Sequence, residues 1–206
     1  MAYPKPLERL IAAFERFPGI GRRTAERLAF HVLRDPEAGE LSEALRDAAL
    51  HTRRCGLCHN VTEQDPCALC ADPARDPALL LVVEEPRDVE AVERARVWRG
   101  RYHVLLGAFN PAEGTEERHL TIGALVKRLA AREVKELVLA TDPDSEGEAT
   151  AQLVLAAVDR AGLALAVTRL ARGVPAGSAL EYLHKGVIQD ALDYRIPLRT
   201  PRDESR

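Results

Sequence analysis

The chain lacks the features that would place it in a membrane, outside the cell, or on nucleic acid by bulk charge. No apolar run approaches the length that spans a bilayer, and MAYPKPLERL at the start lacks the apolar stretch of a secretion signal. Both absences predict a cytoplasmic protein. Positive charge is in deficit: 29 Lys and Arg stand against 32 Asp and Glu, a net charge of −3. Contact with nucleic acid must therefore come from a local patch. Cysteine is scarce, four in 206 residues. In a reducing compartment four thiols are more readily metal ligands than disulfides. No internal repeat is present. What remains is 46% hydrophobic residues, enough for a packed core in one large or two small domains.

The hydrophobic pattern changes midway. Leu7, Leu10, Ile11, Phe14 and Phe17 fall on one helical stripe that Pro18-Gly19 stops. A second helix from Arg22 to Leu33 turns Ala25, Leu28, Ala29 and Val32 inward, and a third is predicted over about 41–52. Asp72 to Pro77 reads as a linker. Beyond it strands are predicted at 79–83, 102–107, 136–141 and 163–171, alternating with helices at 88–98, 121–132, from the acidic segment through Asp159, and about 179–194. Such alternation predicts a doubly wound, mostly parallel α/β sheet behind a small all-α domain. The tail from Pro197 is predicted to be disordered.

Three stretches carry chemistry. The first is Pro18-Gly19-Ile20-Gly21 between two short amphipathic helices, followed by Arg22, Arg23 and Thr24, with Arg27 one turn beyond Arg23. Glycines allow a tight hairpin with outward N–H groups, and a helix N-terminus adds its dipole, so a phosphate can sit there without sequence being read. Between Lys5 and Arg34 seven basic residues face three glutamates, which is the local patch required. The plain alternative is an αα-hairpin turn with solvated arginines.

The second stretch is Cys55-x2-Cys58 and Cys67-x2-Cys70, separated by eight residues. Four thiolates at this spacing close a tetrahedral shell around Zn²⁺ and leave no open position, which makes the site structural. His51 and His59 flank it and are redundant once four sulfurs bind, so both are expected at the surface. The third stretch is ELVLATDPDSEGEAT, residues 136–150, where an apolar run ends in Asp142, Asp144, Glu146 and Glu148. In open α/β sheets sites form at the carboxyl ends of strands. Glu84 ends its own predicted strand, and a parallel neighbour would bring it near Asp142 and Asp144. One glutamate plus a DxD can hold a hard cation such as Mg²⁺. The alternatives are an acidic helix N-terminus complementing its dipole, which accounts for Glu146 and Glu148 better than for Asp142 and Asp144, or an acidic face that docks a basic partner without metal.

VVEEPRDVEAVE with TDPDSEGEAT resembles a Toprim domain. The order of helix-hairpin-helix, four-cysteine finger and Toprim over residues 3–195 is similar to the RecR family of recombination mediators, with PGIGRRTAERLAFHVL, CGLCHNVTEQDPCALC, GRYHVLLGAFNP, EGEATAQLVL and TRLARGVPAGSALEY as the local matches. The resemblance implies a helix-hairpin-helix DNA-binding domain over 1–53, a four-cysteine zinc finger and linker over 54–77, a Toprim domain over 78–172, and a Walker-B-like segment, C-terminal helix and tail over 173–206. It implies a non-enzymatic, cytoplasmic and nucleoid-associated homo-oligomer, dimer or tetrameric ring. Such a clamp binds single-stranded, double-stranded or gapped DNA and acts with RecO and RecF to load RecA where single-stranded DNA-binding protein covers a gap. Arg23 and Arg27 match the family's DNA-contacting positions, Gly19, Gly21, Arg22 and Thr24 complete the hairpin, and Cys55, Cys58, Cys67 and Cys70 match its zinc ligands.

The chain departs from the family pattern where Arg22-Arg23 replaces Pro-Lys, where DPDS is more acidic, and where LHKGVIQDALDYR follows Tyr182. The second departure brings it closer to a topoisomerase Toprim and leaves a metal-dependent Toprim nuclease as the alternative function. No tyrosine nucleophile domain or strand-passage gate accompanies the carboxylates. Docking of a basic partner such as RecO is therefore the expected use of Glu84, Asp142, Asp144 and Glu146.

Overall fold

The computed structural model describes residues 3–131, 133–171, 173–175 and 177–194. The segment predicted to be disordered from Pro197 lies outside them. The chain separates into two units, Met1–Thr52 and Arg53–Arg206.

In the first unit α1 (Lys5–Glu15) and α2 (Arg22–Val32) form a helical hairpin. Leu7 and Ile11 of α1 pack on Ala25 and Ala29 of α2, with Leu10, Phe14, Ile20 and Phe30 around them. Alanines on the α2 face admit larger side chains from α1. Phe17, expected on the α1 stripe, lies beyond the helix and is exposed. The turn needs Gly19, whose φ of 74° is in the left-handed region. Helix α3 (Ala38–His51) begins three residues before the predicted Leu41 and contains no buried residue.

The second unit opens with a two-residue antiparallel pair, β1 (Arg53–Arg54) and β2 (Val61–Thr62), and a one-turn helix α4 (Ala68–Ala71). Then follow β3 (Asp76–Val83), α5 (Pro86–Ala95), β4 (Gly100–Val104), α6 (Ile122–Leu129), β5 (Glu136–Ala140), α7 (Ser145–Arg160), β6 (Ala166–Arg169) and α8 (Lys185–Asp193). The four later strands form one parallel sheet in the order β4-β3-β5-β6. Leu80, Leu81, Val82 and Val83 are all buried, and they divide by alternation. Leu80 and Val82 join Leu137, Leu139 and the inner faces of α6 and α7, whereas Leu81 and Val83 join Val89 of α5, Tyr102 and Val104. A strand covered by helices on both faces reads as an unbroken apolar run. Each such side chain contributes about 1.5–3 kcal/mol on burial.

Boundaries moved for local reasons. Helix α5 starts at Pro86, not 88, because Glu85 and Asp88 form a capping box, and it ends at Ala95, not 98, where Arg96 turns left-handed. Strand β4 stops at Val104 because Leu106 (φ 70°) and Gly107 (φ 142°) turn the chain away. Strand β6 is shorter than predicted. The helix expected over 179–194 is instead a 3₁₀ turn at Leu180–Tyr182, extended backbone at Leu183 and His184, and α8. Part of the predicted linker belongs to β3, where the Asp76 N–H donates to the Arg99 carbonyl.

Candidate functional sites

The hairpin arginines differ in their surroundings. Arg22 pairs with three carboxylates, two back across the turn and one a helical turn ahead on α2: Nη2 lies 2.9 Å from Glu8 Oε2, Nη1 3.6 Å from Glu15 Oε2, and Nε 3.0 Å from Glu26 Oε1. Hydrogen bonds to Glu8 and then Glu26 hold its pKa above the ordinary guanidinium value. Arg22 thus ties α1 to α2. Arg23 and Arg27 are exposed, and no carboxylate pairs with either among the described residues. Gly21 occupies the N-cap of α2 without a side-chain cap, which leaves first-turn N–H donors to an anion. Thr24 is half-buried and its N–H donates to the Gly21 carbonyl.

The four cysteine sulfurs lie within 4.8 Å of one another, and Cys58 Sγ is 3.5 Å from Cys67 Sγ. Zn–S bonds of about 2.3 Å put tetrahedral sulfurs roughly 3.8 Å apart, so these residues fit the ion. Cys55, Cys58 and Cys67 are buried and Cys70 half-buried. The turn after the first pair is closed by Cys55 N–H to the Asn60 carbonyl (2.8 Å) and His59 N–H to the Cys55 carbonyl (3.0 Å). The Cys67 N–H donates to Cys55 Sγ at 3.4 Å. The hydrogen bond between Cys58 and Cys70 chiefly holds Cys70 down to about 6 and pushes Cys58 up, so the cluster offers a thiolate at neutral pH.

His51 is exposed as expected. His59 is not a surface residue: it is half-buried at φ 62°, with its ring 5.2 Å, edge to face, from the buried His103. His103 Nε2 lies 2.9 Å from Thr121 Oγ1, and burial drives its pKa to about 3.

Parallel pairing of β3 with β5 brings Glu84 to the expected neighbourhood, at the point where connections leave the sheet in opposite directions. The Asp142 N–H donates to Glu84 Oε1 at 3.2 Å. Glu84 is only 8% exposed, and burial, reinforced by the charges of Asp142, Asp144 and Asp88, pushes its carboxyl up to about 7. Asp144 is the N-cap of α7, accepting from the Gly147 N–H at 2.8 Å, so the helix-start reading accounts for it after all. Gly147 is obligatory, since a Cβ there would come within 2.1 Å of the Asp142 carbonyl oxygen. Glu146 is exposed and accepts from Asn110 Nδ2 at 2.7 Å. Among the described residues the cysteines are the only metal-type ligands, three or more together, whose donor atoms all lie within 4.8 Å. The acidic residues are neighbours without that convergence.

Sequence reasoning assigned no role to Asn110 or Arg128. Asn110 stands next to last in the stretch GRYHVLLGAFNP, and its Asn-Pro pair is a turn signal. Arg128 stands in the last turn of α6, where a cation needs no reason beyond the helix dipole.

A parallel sheet with acidic strand ends, a four-cysteine knuckle and a glycine-turned helical hairpin define a Toprim protein with a DNA-binding type of hairpin and a zinc finger. Family models agree: the RecR helix-hairpin-helix model matches residues 7–49, the RecR four-cysteine zinc finger domain 52–72, and the Toprim domain 78–171. "Recombination protein RecR" of Lactococcus lactis subsp. cremoris (strain MG1363) is 43% identical over 200 residues, 96% of this chain and 100% of that one. The protein of the same name from Geobacter sulfurreducens is 48% identical over 193 residues, 93% of this chain and 96% of its own. That from Heliobacterium modesticaldum is 46% identical over 195 residues, 94% and 97% of the two chains. The chain belongs to the RecR family.

Proposed function

We propose that the chain is a recombinational-repair protein that clamps DNA without catalysing a reaction on it. The observation that carries this reading is the exposed pair Arg23 and Arg27, without carboxylate partners among the described residues, at the uncapped start of α2, next to a carboxylate-held Arg22. Two cations one turn apart beside free N–H donors suit a phosphodiester backbone and carry no sequence preference. The glycine turn at Gly19 and Gly21 presents them, and Thr24 closes the first turn beneath.

In this reading the chain works in the cytoplasm as a homo-oligomer on gapped DNA. With RecO and RecF it loads RecA onto strands covered by single-stranded DNA-binding protein. Exposed Leu41, Leu45 and Leu50 on α3, with Leu180 and Tyr182 beyond the sheet, supply apolar surface for self-association. The acidic strand ends, Glu84, Asp142, Asp144 and Glu146, dock a basic partner such as RecO. Zinc at Cys55, Cys58, Cys67 and Cys70 is structural, and the working domains run over 1–53, 54–77, 78–172 and 173–206.

Fluorescence anisotropy with a labelled single strand tests the clamp. Arg23→Glu with Arg27→Glu should weaken binding and flatten log affinity against log salt by about 1.4 (two phosphate contacts). Arg22→Gln should lower the thermal midpoint of the hairpin unit and leave that slope near wild type. Equal slopes in all three proteins would remove the hairpin as the DNA contact.

A metal-dependent nuclease is the second reading, favoured by the juxtaposition of Glu84 with the Asp142 backbone beside Asp144. Mg²⁺- or Mn²⁺-dependent cutting of DNA by the purified chain, lost on Glu84→Gln, would establish it over the clamp.

A further inference from the structure

We propose that Arg128 is a positioning residue for the cysteine cluster, clamping the zinc knuckle to the sheet and supplying the cation beside its thiolates. This rests on zinc occupying the four cysteines. One guanidinium nitrogen, Nη1, donates to the Tyr102 carbonyl of β4 at 2.6 Å and to the Leu57 carbonyl at 3.3 Å. Leu57 stands between the first two cysteines, 71 residues before Arg128, so one side chain of α6 bridges knuckle and strand. Beside it the Val104 N–H donates to the Cys58 carbonyl at 2.8 Å, and Leu69, between the second pair, packs against the apolar cluster of Leu81, Val83, Val89, Tyr102 and Val104. The knuckle is therefore held to the edge strand at backbone level.

Charge points the same way. Arg128 and Cys70 line one cavity of about 540 Å³ together with Gly56, Leu57, His59 and Lys127. Four thiolates around Zn²⁺ leave two net negative charges, and a cation against them lowers the cost of burying that charge. The same negative charge argues against reading the cavity as an anion site: its cations answer the cluster. Groups that orient metal ligands from the next layer cost 10- to 100-fold in metal affinity when removed.

The test uses the full-length zinc-loaded chain and follows zinc passing to a chromogenic chelator. Arg128→Gln should release zinc roughly 10- to 100-fold faster with the helical circular dichroism unchanged. Arg128→Lys, which keeps the charge but not the planar fork, should fall between Gln and wild type. Arg101→Gln, in the same cavity but paired with Glu133, should match wild type. Amide exchange of the unmutated chain gives a second readout: stripping zinc should speed exchange at the Val104 N–H. Release from Arg128→Gln at the wild-type rate, equal release from Arg128→Gln and Arg101→Gln, or Val104 exchange indifferent to zinc would each overturn the proposal. A freshly purified chain without stoichiometric zinc would instead sink the zinc assignment beneath it.

Discussion

Glu84 is the residue whose chemistry departs furthest from its free state in the acidic region. Its folded pKa of about 7 lies above the ordinary 4.5, so across that interval the native protein keeps a proton the unfolded chain has lost. The stability this supplies is complete below pH 4.5 and is lost as pH rises through 7. His103 works in the other direction. Its pKa of about 3 against an ordinary 6.5 means that its contribution holds above pH 6.5 and is lost on acidification. The wild-type curve mixes the two, so the informative quantity is its difference from Glu84→Gln. Urea midpoints should show the variant gaining on wild type between pH 4.5 and about 7 and keeping a constant advantage above. Parallel curves would mean that Glu84 titrates as a surface carboxylate.

At this scale the sequence is most readable where partners are close along the chain, or where strand ends bring them together as they do Glu84 and Asp142. The cysteine pairs announce themselves by spacing, and Arg23 with Arg27 by one helical turn. Arg22 looks equivalent to Arg23 because Glu8 lies 14 residues back and the fold alone brings it within 2.9 Å. His59 reads as a surface residue for the same reason: its partner His103 comes from a strand 44 positions later.

Helix α7 shows how much structural work its acidic first turn does before any recognition is asked of it. Asp144 caps it, Gly147 lets the loop pass under it, and Glu146 fastens the Asn110 turn. Asp144→Ala would therefore confuse lost charge with a lost cap, which costs about 1 kcal/mol. Asp144→Asn keeps a capping oxygen and loses the charge. The thermal midpoint should fall for Ala and hold for Asn, while binding of a basic partner or divalent cation should weaken in both. A midpoint that falls equally would remove the capping role. The alternating strands and helices are legible as elements because covered strands give apolar runs and helices a period near 3.6. Their ends are less so: Arg96 enters left-handed backbone with no glycine beside it to announce it, and Leu106 does so one residue before Gly107.

For the molecule as a whole, apolar side chains on α3 and around Leu180 and Tyr182 remain uncovered within one chain. A small protein that closes around a duplex must do so as an assembly. Light scattering should return a mass above that of one chain. Replacing Leu41 and Leu45 together with serine should lower that mass without unfolding the hairpin, because α3 buries nothing within its own unit. A monomer at every concentration would end the clamp reading. Parallel strand order lies beyond the sequence, since alternation gives the number of strands but not their neighbours.

That order also dictates a schedule. The first strand of the sheet to leave the ribosome, β3, is an inner one, and its neighbours arrive later on opposite flanks, β4 by residue 104 and β5 by residue 140. The nascent sheet therefore grows outward from its oldest strand, through pairings distant in sequence and correspondingly slow. The cysteine turns just ahead of β3 need only the 16 residues from Cys55 to Cys70 to close, so the one part of this unit that can finish early waits at the strand on which the rest is built.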